Sequence, residues 1–271
     1  MTADSTLRIR DEGPVRVIAI DRPERRNAVD PETAQALFEA FLAFDADPAA
    51  RVAVLTGCGE AFCAGFDLTR AAQGMPEAWF ERMAIRAPED LEGPPRPGPM
   101  GPTRLSLSKP TIAAVNGAAV AGGMELALWC DLRVVAPEGY FGVFCRRWGV
   151  PLIDGGAIRL PRLIGQGRAL DLILSGRKVA AEEALAIGLA ERAAPPGGAL
   201  SAALELAQEL ARFPQACMRA DRRVALAQWS LSAPEAFALE WRSADAFAAE
   251  GVHGAARFAA GKGRGGAFDE L

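Results

Sequence analysis

A carboxylate next to paired glycines is the first feature of this sequence that could do chemistry. Glu125 follows Gly122 and Gly123 within NGAAVAGGMELALWC. We predict a helix over Met124–Cys130, which leaves unpaired backbone N–H groups and the positive end of the helix dipole at the glycines. Such a site can stabilise an oxyanion, and Glu125 could then move a proton as a general acid or base. The structural alternative is a carboxylate that the helix dipole favours at this position.

A second glycine turn could supply another N–H group. The run AFCAGFDL, Ala61 to Leu68, has small residues around Gly65 that let its backbone approach a ligand closely. N–H groups from two separate loops form an oxyanion hole, which depends on backbone geometry more than on side chains. Taken alone, the run is more typical of a tight turn beneath the proline-rich segment that follows it.

The segment FGVFCRRWGVPLIDGG contains one thiol and one acid. Cys145 would have an ordinary pKa of about 8.5, which makes it a poor acid or base at neutral pH and favours a small buried hydrophobe. Asp154 begins the apparent helix DGGAIRLPRLIG, so it is either the N-cap of that helix, a catalytic acid, or both. Arg146 and Arg147 could hold Asp154 or Glu125 ionised, or face solvent or a neighbouring subunit.

Strands and one capped helix would position these groups. β-branched and apolar runs predict strands within Val15–Pro23, Arg51–Gly57, Lys109–Gly117 and Leu132–Ala136. In DPETAQALFEAFLAFDAD, Asp30 is the expected N-cap and Pro31 the first helical residue. Because glycine-rich turns and helices follow the strands, the pattern predicts an α/β protein whose ligand site lies at these junctions.

The rest of the chain divides into a loop, a helical region and a tail. Between Arg70 and Arg104 the sequence becomes proline-rich and predicts a long mobile loop, of the kind that covers a pocket. From about Leu200 it predicts helices, two of which start at Pro214 and Pro234. The closing GKGRGGAF, residues 261–268, matches G-x-G-x-x-G by letter but follows no strand, so we predict a flexible tail.

Composition excludes several functions. The chain has 271 residues, half of them apolar, and a net charge of −4 without a basic face, which argues against nucleic acid as a partner. Five cysteines without a C-x-x-C pair favour reduced thiols, and the single His253 disfavours histidine-based zinc sites and Ser-His-Asp catalysis. The N-terminal residues do not resemble a signal peptide, and no apolar run is long enough to span a membrane. We therefore expect a cytoplasmic protein.

Taken together, these segments resemble the enoyl-CoA hydratase/isomerase family, also called the crotonase superfamily. The resemblance covers about Leu7 to Ile187 and rests on five ordered motifs. They are DRPERRNAVD, AFCAGFDL, SKPTIAAVNGAAVAGGMELALWCDLRVV, GGAIRLPRLIG and LILSGRKVAAEEALAIGLAERAAP. Five motifs in this order and at these spacings make the resemblance specific.

The resemblance implies a fold and a ligand. The fold would be an α/β spiral of ββα units, with a core and acyl-CoA pocket in residues 1–199 and an oligomerisation region of helices in residues 200–271 that builds a homotrimer or a dimer of trimers. The substrate would be a coenzyme A thioester, with no other cofactor and no metal. Its carbonyl oxygen would accept hydrogen bonds from the N–H groups of Phe66 and Gly122. The residues implied in binding CoA or substrate are Arg26, Ala28, Ala64, Asp67, Leu68, Gly123, Cys145 and Trp148.

The resemblance also bears on the reaction. Hydratases of the family use two glutamates; Glu125 matches the first, and Cys145 stands where the second is expected. Family members that shift double bonds in dienoyl substrates carry an aspartate one position before Asp154. We therefore expect an enzyme that hydrates a 2-enoyl-CoA, with Glu125 as the main acid or base and Asp154 as its possible partner. The alternatives are an isomerase, a hydrolase or carbon–carbon lyase of the same family, and an acyl-CoA binding protein without catalysis.

Overall fold

The computed structural model describes residues 6–263, so the first five residues and residues 264–268 of the predicted tail lie outside the described chain. Its strands are β1 Leu7–Glu12, β2 Val15–Ile20, β3 Val52–Gly57, β4 Ala61–Cys63, β5 Thr111–Val115, β6 Ala118–Val120, β7 Leu132–Val135, β8 Tyr140–Gly142, β9 Lys178–Ala180 and β10 Arg192–Ala193. Its α-helices are α1 Pro31–Ala46, α2 Leu68–Ala72, α3 Glu77–Met83, α4 Gly122–Trp129, α5 Gly156–Ile164, α6 Gln166–Ser175, α7 Ala181–Ala186, α8 Ala199–Arg212, α9 Gln215–Ala227, α10 Ala233–Trp241, α11 Ala244–Ala246 and α12 Val252–Ala259.

The strands form two sheets, and consecutive strands alternate between them in the middle of the chain. The larger has the strand order β1-β2-β3-β5-β7-β10 and the smaller has the order β4-β6-β8-β9. Each of the pairs β3/β4, β5/β6 and β7/β8 places its first strand in the larger sheet and its second in the smaller one, and a helix follows each pair. The chain therefore winds through both sheets as a spiral of ββα units, which confirms the predicted α/β fold.

Apolar side chains fill both faces of the larger sheet. On one face, the main core includes the fully buried Phe41 and Phe44 of α1 and Phe62 of β4. On the other face, α8 packs its alanines and Leu206 against Val54 and other small strand residues. The first helix of the C-terminal region therefore covers the sheet directly, and the proposed division at residue 199 stays a prediction.

The capped start of α1 confirms a local prediction and gives a stability test. The Asp30 side chain accepts a hydrogen bond from the Thr33 N–H at 2.8 Å, and Pro31 is the first helical residue. We expect Asp30→Ala to lower the free energy of unfolding by about 1–2 kcal/mol, measured by urea denaturation. Asp30→Asn should lose much less, because Asn caps a helix as well as Asp does. Equal losses in both variants would show that the ion pair with Arg22, rather than the cap, stabilises this position.

The segment Arg70–Arg104 is more ordered than its composition suggested. It contains α3 and single 3₁₀ turns at Pro88–Leu91 and Pro102–Arg104, so the prediction of one long structureless loop was wrong. Met83 is buried at the end of α3. Its carbonyl accepts a hydrogen bond from Arg104 Nη1 at 2.7 Å. Tertiary contacts of this kind stabilise helices that are too short to form alone.

The C-terminal helices begin where the prolines predicted. Pro214 is the N-cap of α9 and Pro234 lies in the first turn of α10. Among the helices of residues 6–263, none combines the length and the apolar character that crossing a bilayer requires.

Candidate active site

A cavity of about 400 Å³ lies where the turns after β4, β6 and β8 meet. Its wall combines the start of α4, the turn before α2, helix α3 and the segment after β8. The lining residues are Ala64, Phe66, Leu68, Ala71, Met75, Trp79, Phe80, Pro99, Met100, Ala121, Gly122, Glu125, Phe144, Cys145, Trp148, Gly149, Val150, Pro151, Ile153 and Asp154. Except for the two carboxylates, the side chains of this wall carry no formal charge.

Two backbone N–H groups are free to hold an oxyanion in this cavity. Within the described chain, neither the Phe66 N–H nor the Gly122 N–H donates to a protein acceptor. Their loops touch, because a Cβ built on Gly65 would lie 3.0 Å from the Gly122 nitrogen. Gly122 itself begins α4, two residues earlier than predicted, so its N–H has no intrahelical acceptor. The two glycine turns therefore come together as an oxyanion hole requires.

The chain before α4 is strained. Ala121 has φ 53° and ψ −125°, a left-handed combination that residues other than glycine rarely adopt. The Ala121 N–H donates to Gly142 O at 2.8 Å, which ties this residue to the strand beside it. Gly65, with φ +97°, packs against Ala121, since a Cβ on Gly65 would lie 3.0 Å from the Ala121 Cβ. Backbone strain of this kind is typical of functional sites. Here it lets α4 start with its N–H groups directed at the cavity.

Glu125 is buried in the cavity wall and held by backbone donors. Its side chain Oε1 accepts hydrogen bonds from the N–H groups of Asp154 at 2.9 Å and Gly156 at 2.8 Å, and the residue is 3% exposed. Burial, followed by the neighbouring charge of Asp154, raises the pKa of Glu125 to about 7. A carboxyl group with that pKa can accept or donate a proton near neutral pH.

Asp154 does not cap helix α5, contrary to one of the predictions. The N-cap is Gly155, and the Asp154 Oδ1 accepts instead from the Met100 N–H at 3.0 Å and from the Thr103 hydroxyl. Asp154 is 4% exposed and lies in the same cavity wall as Glu125. Burial raises its pKa, while the hydrogen bonds from Thr103 and Met100 oppose that rise.

The charged neighbours of the two carboxylates are not the expected arginines. Arg146 is exposed and its Nε donates to Ile173 O at 3.1 Å, while Arg147 lies over the Phe144 ring. Of the two alternatives for Arg146 and Arg147, pairing with Asp154 or Glu125 was therefore wrong, and both residues are exposed, as the other alternative expects. The charge of Arg159 on α5 favours the ionised form of Glu125, and the charges of Arg104 and Arg159 favour the ionised form of Asp154.

Cys145 lies in the cavity wall as a buried thiol. It is 5% exposed, and burial followed by the charge of Glu125 raises its pKa. The thiol is therefore neutral at physiological pH and supplies neither a base nor a charge. Trp148, three residues further on, is 69% exposed and forms part of the apolar rim of the cavity.

The structure places the predicted CoA residues at different distances from the cavity. Ala64 and Leu68 line it. Arg26 is exposed beside it, and its carbonyl accepts the Ala64 N–H at 3.0 Å. Ala28 is buried and does not line the cavity. Gly123 is also outside the wall, because its backbone packs against Cys63 so closely that a Cβ would lie 2.0 Å from the Cys63 oxygen.

The Asp67 carboxylate has structural partners. It accepts from the Thr69 and Arg70 N–H groups at the start of α2, and it pairs with Arg22 at 3.1 Å. The Asp67 backbone is engaged as well, since its N–H donates to Val29 O at 2.8 Å and its carbonyl accepts from the Ala71 N–H at 3.0 Å. The role of this residue in CoA binding stays a prediction.

Sequence reasoning missed several residues of the site. Thr103 and Met100 come from the proline-rich segment, whose sequence carries no periodic signal. Trp79 lies on α3 and packs against Phe66 with ring centroids 5.6 Å apart and the rings tilted by 50°. Arg159, one of the cations beside the two acids, could have been noticed from its place between apolar residues in GGAIRLPRLIG.

Comparison with known proteins agrees with this geometry. A family model described as enoyl-CoA hydratase/isomerase matches residues 10–260. The chain is 38% identical over 234 residues to a carnitinyl-CoA dehydratase of Salmonella arizonae, covering 86% of this chain and 84% of that protein. It is 39% identical over 230 residues to a putative enoyl-CoA hydratase of Thermus thermophilus, covering 84% and 87%. The crystal structure of an enoyl-CoA hydratase from Mycobacterium marinum superposes with a TM-score of 0.83 at 32% identity and covers 94% of this chain and 95% of that one. The chain therefore belongs to the enoyl-CoA hydratase/isomerase family of enzymes.

Proposed function

We propose that this protein adds water reversibly to the double bond of a 2-enoyl-CoA thioester, with Glu125 as the group that transfers the proton. The observation that carries this proposal is the position of a buried carboxyl group, with a pKa of about 7, beside two unpaired N–H groups in one cavity. The N–H groups suit a thioester oxygen, and the carboxyl group suits proton transfer at the carbons next to it.

The mechanism follows from these two elements. The thioester oxygen accepts hydrogen bonds from the Phe66 and Gly122 N–H groups, which stabilise the negative charge that develops when water attacks Cβ. Glu125 removes a proton from that water and delivers a proton to Cα, so that the carboxylate returns to its starting state after each turnover. The backbone donors on Oε1 hold the carboxylate in place through both transfers.

The names of two relatives support the proposed addition of water. Both printed names, carnitinyl-CoA dehydratase and putative enoyl-CoA hydratase, describe the removal or addition of water on a CoA thioester. Because hydration and dehydration pass through one transition state, a single site suited to one reaction also catalyses the other.

Movement of a double bond is the second candidate reaction. The position where the family resemblance expects a second glutamate holds Cys145, whose neutral thiol cannot activate water. One carboxyl group is enough to carry a proton from one carbon of the acyl chain to another, because no water needs to be positioned. The absence of a second free carboxylate from the described cavity wall favours this alternative.

One assay separates these functions from simple binding. The purified protein is incubated with crotonyl-CoA and longer 2-enoyl-CoA thioesters while the absorbance of the conjugated thioester is followed. Loss of absorbance with formation of a 3-hydroxyacyl-CoA supports hydration, whereas gain of absorbance from a 3-enoyl-CoA supports isomerisation. Binding without turnover, unchanged by Glu125→Gln, would instead support an acyl-CoA binding protein.

We also propose that the reaction needs no resident cofactor or metal. CoA would enter as part of the substrate, with Arg26, Ala28, Ala64 and Leu68 near its adenine and pantetheine, as the family resemblance implies. The full activity of protein dialysed against EDTA would support this proposal. A loss of activity that a divalent metal restores would contradict it.

A homotrimer or a dimer of trimers is the proposed assembly. Helix α10 exposes 70% of Phe237 and 79% of Trp241, which a single chain would leave in water. We expect light scattering to give three or six times the chain mass of 28.6 kDa, and Trp241→Glu to yield smaller species. Gln166→Glu, at an exposed polar position at the start of α6, is the control and should leave the mass unchanged. A monomeric wild-type protein would contradict the proposal.

A cytoplasmic location is proposed as well, and cell fractionation would test it.

A further inference from the structure

A short stretch of the proline-rich segment is fastened directly to the start of α5. The Met100 N–H donates to the Asp154 carboxylate at 3.0 Å, and the Thr103 hydroxyl donates to the same oxygen, Oδ1. From the other side, Arg159 of α5 donates to Asp154 O at 2.9 Å and to Thr103 O at 2.7 Å. Thr103 is 1% exposed and Asp154 is 4% exposed, so these bonds form away from solvent.

The connection leaves no room for another side chain. A Cβ on Gly98 would lie 2.3 Å from the Thr103 hydroxyl oxygen and 2.5 Å from Asp154 Oδ1. Gly98 and Gly101 also exchange backbone hydrogen bonds of 2.7 and 2.8 Å, which close the loop around Met100. The geometry of residues 98–103 is therefore fixed around the Asp154 carboxylate.

The same Asp154 residue holds the catalytic carboxyl group. Its backbone N–H donates to Glu125 Oε1 at 2.9 Å, and the Gly156 N–H donates to that oxygen at 2.8 Å. Any shift of Asp154 therefore moves one of the two donors that orient Glu125. Small displacements of a reacting group lower rates strongly.

We propose that Thr103 is a positioning residue for Glu125, and that the Asp154 carboxylate serves as the acceptor that fastens residues 98–103 to α5 rather than as a proton-transferring group. This inference rests on the proposed function of Glu125. Its geometric basis is that Oδ1 already accepts two buried hydrogen bonds, while the backbone of the same residue binds Glu125. Thr103, which does not line the cavity, thereby stabilises the catalytic geometry through Asp154.

The charges around Glu125 allow a pH profile to distinguish a positioning role of Asp154 from a proton-transferring role. Glu125 faces the Asp154 carboxylate, the Arg159 guanidinium and the Cys145 thiol. Asn at position 154 could still accept both hydrogen bonds at Oδ1 but would carry no charge. A loss of this negative neighbour lowers the pKa of Glu125, because the like charge is one of the two causes that raise it.

The test compares the variants Thr103→Val, Thr103→Ser and Asp154→Asn. We expect Thr103→Val to lower kcat roughly 10- to 100-fold with KM changed by less than about threefold, and Thr103→Ser to recover most of that loss. Asp154→Asn should lower kcat/KM by no more than about tenfold and move its pH dependence to lower pH. A loss in Asp154→Asn as large as in Glu125→Gln would overturn the proposal, as would a Thr103→Val variant with wild-type kcat.

Two further controls keep the result interpretable. If Thr103→Val fails to fold, Gly98→Ala tests the same contacts, because its Cβ would push the Thr103 hydroxyl away from Asp154; its kcat should fall similarly, and a wild-type kcat would contradict the proposal. Glu125→Gln distinguishes a failure of the proposed function from a failure of the positioning role alone. Wild-type activity in Glu125→Gln would refute the proposed function itself, whereas an inactive Glu125→Gln with an equally inactive Asp154→Asn would refute only the positioning role.

Discussion

Replacing Glu125 by Gln should lower kcat by about 10³-fold or more, while KM stays within about threefold. The amide keeps the size of the side chain and one oxygen that can accept from the Asp154 and Gly156 N–H groups, but it cannot take up or release the proton. The substrate would still find the oxyanion hole and the apolar cavity, so the loss should fall on the chemical step. Steady-state rates with the best 2-enoyl-CoA substrate measure both parameters.

Stability provides the control for this variant. The pKa of Glu125 is raised from 4.5 to about 7, so the wild-type protein loses stability as the pH rises through that interval and the buried carboxyl group ionises. Glu125→Gln removes this cost and should be at least as stable as the wild type at pH 8. Activity that remains within tenfold of the wild type in a folded Glu125→Gln variant would contradict the assignment of Glu125.

Replacing Gly65 by Ala should lower kcat/KM by roughly 100-fold. The new Cβ would lie 3.0 Å from both the Gly122 nitrogen and the Ala121 Cβ, and the neighbouring backbone would have to move. Such a movement separates the Phe66 and Gly122 N–H groups from the position of the thioester oxygen. The expected loss falls on the transition state, in which that oxygen carries the most charge.

Gly74→Ala is the matched control for this change. Gly74 has φ +87°, close to the φ +97° of Gly65, but nothing lies within 4 Å of its Cβ position. Both variants therefore carry a similar backbone strain, and only Gly65→Ala disturbs the oxyanion hole. Equal activity losses in the two variants would show that backbone strain, rather than displacement of the N–H groups, causes the effect.

Structural features that are set by residues close in sequence could be predicted from the sequence. The Asp30 cap of α1 follows from the N-cap preference of Asp and from the fixed φ of Pro31. The turn around Gly65 and, to within two residues, the start of α4 follow from glycines placed directly after strands. The meeting of Phe66 and Gly122 in one cavity was implied by the family resemblance. The cap and the two glycine turns depend only on residues that are close in sequence.

The role of Asp154 depends on distant residues and could not be predicted in this way. Its partners Thr103 and Met100 lie more than 50 positions earlier in the chain, in a segment without periodicity. A cap by Asp154 was a reasonable expectation for an acid before a helix, but Gly155 with φ +91° supplies the cap position and turns Asp154 toward the cavity. The choice of Arg159 over Arg146 and Arg147 also depends on packing between α5 and the proline-rich segment.

Incorporation of deuterium from solvent tests whether Glu125 transfers the proton to the substrate. The protein is incubated in D₂O with the 2-enoyl-CoA that it turns over, and mass spectrometry and proton NMR locate deuterium in the 3-hydroxyacyl-CoA product. If Glu125 delivers the proton to a thioester held by the Phe66 and Gly122 N–H groups, one deuteron should appear at Cα with a single stereochemistry, and Glu125→Gln should incorporate it about 10³-fold more slowly. Incorporation at an equal rate in Glu125→Gln would contradict the account.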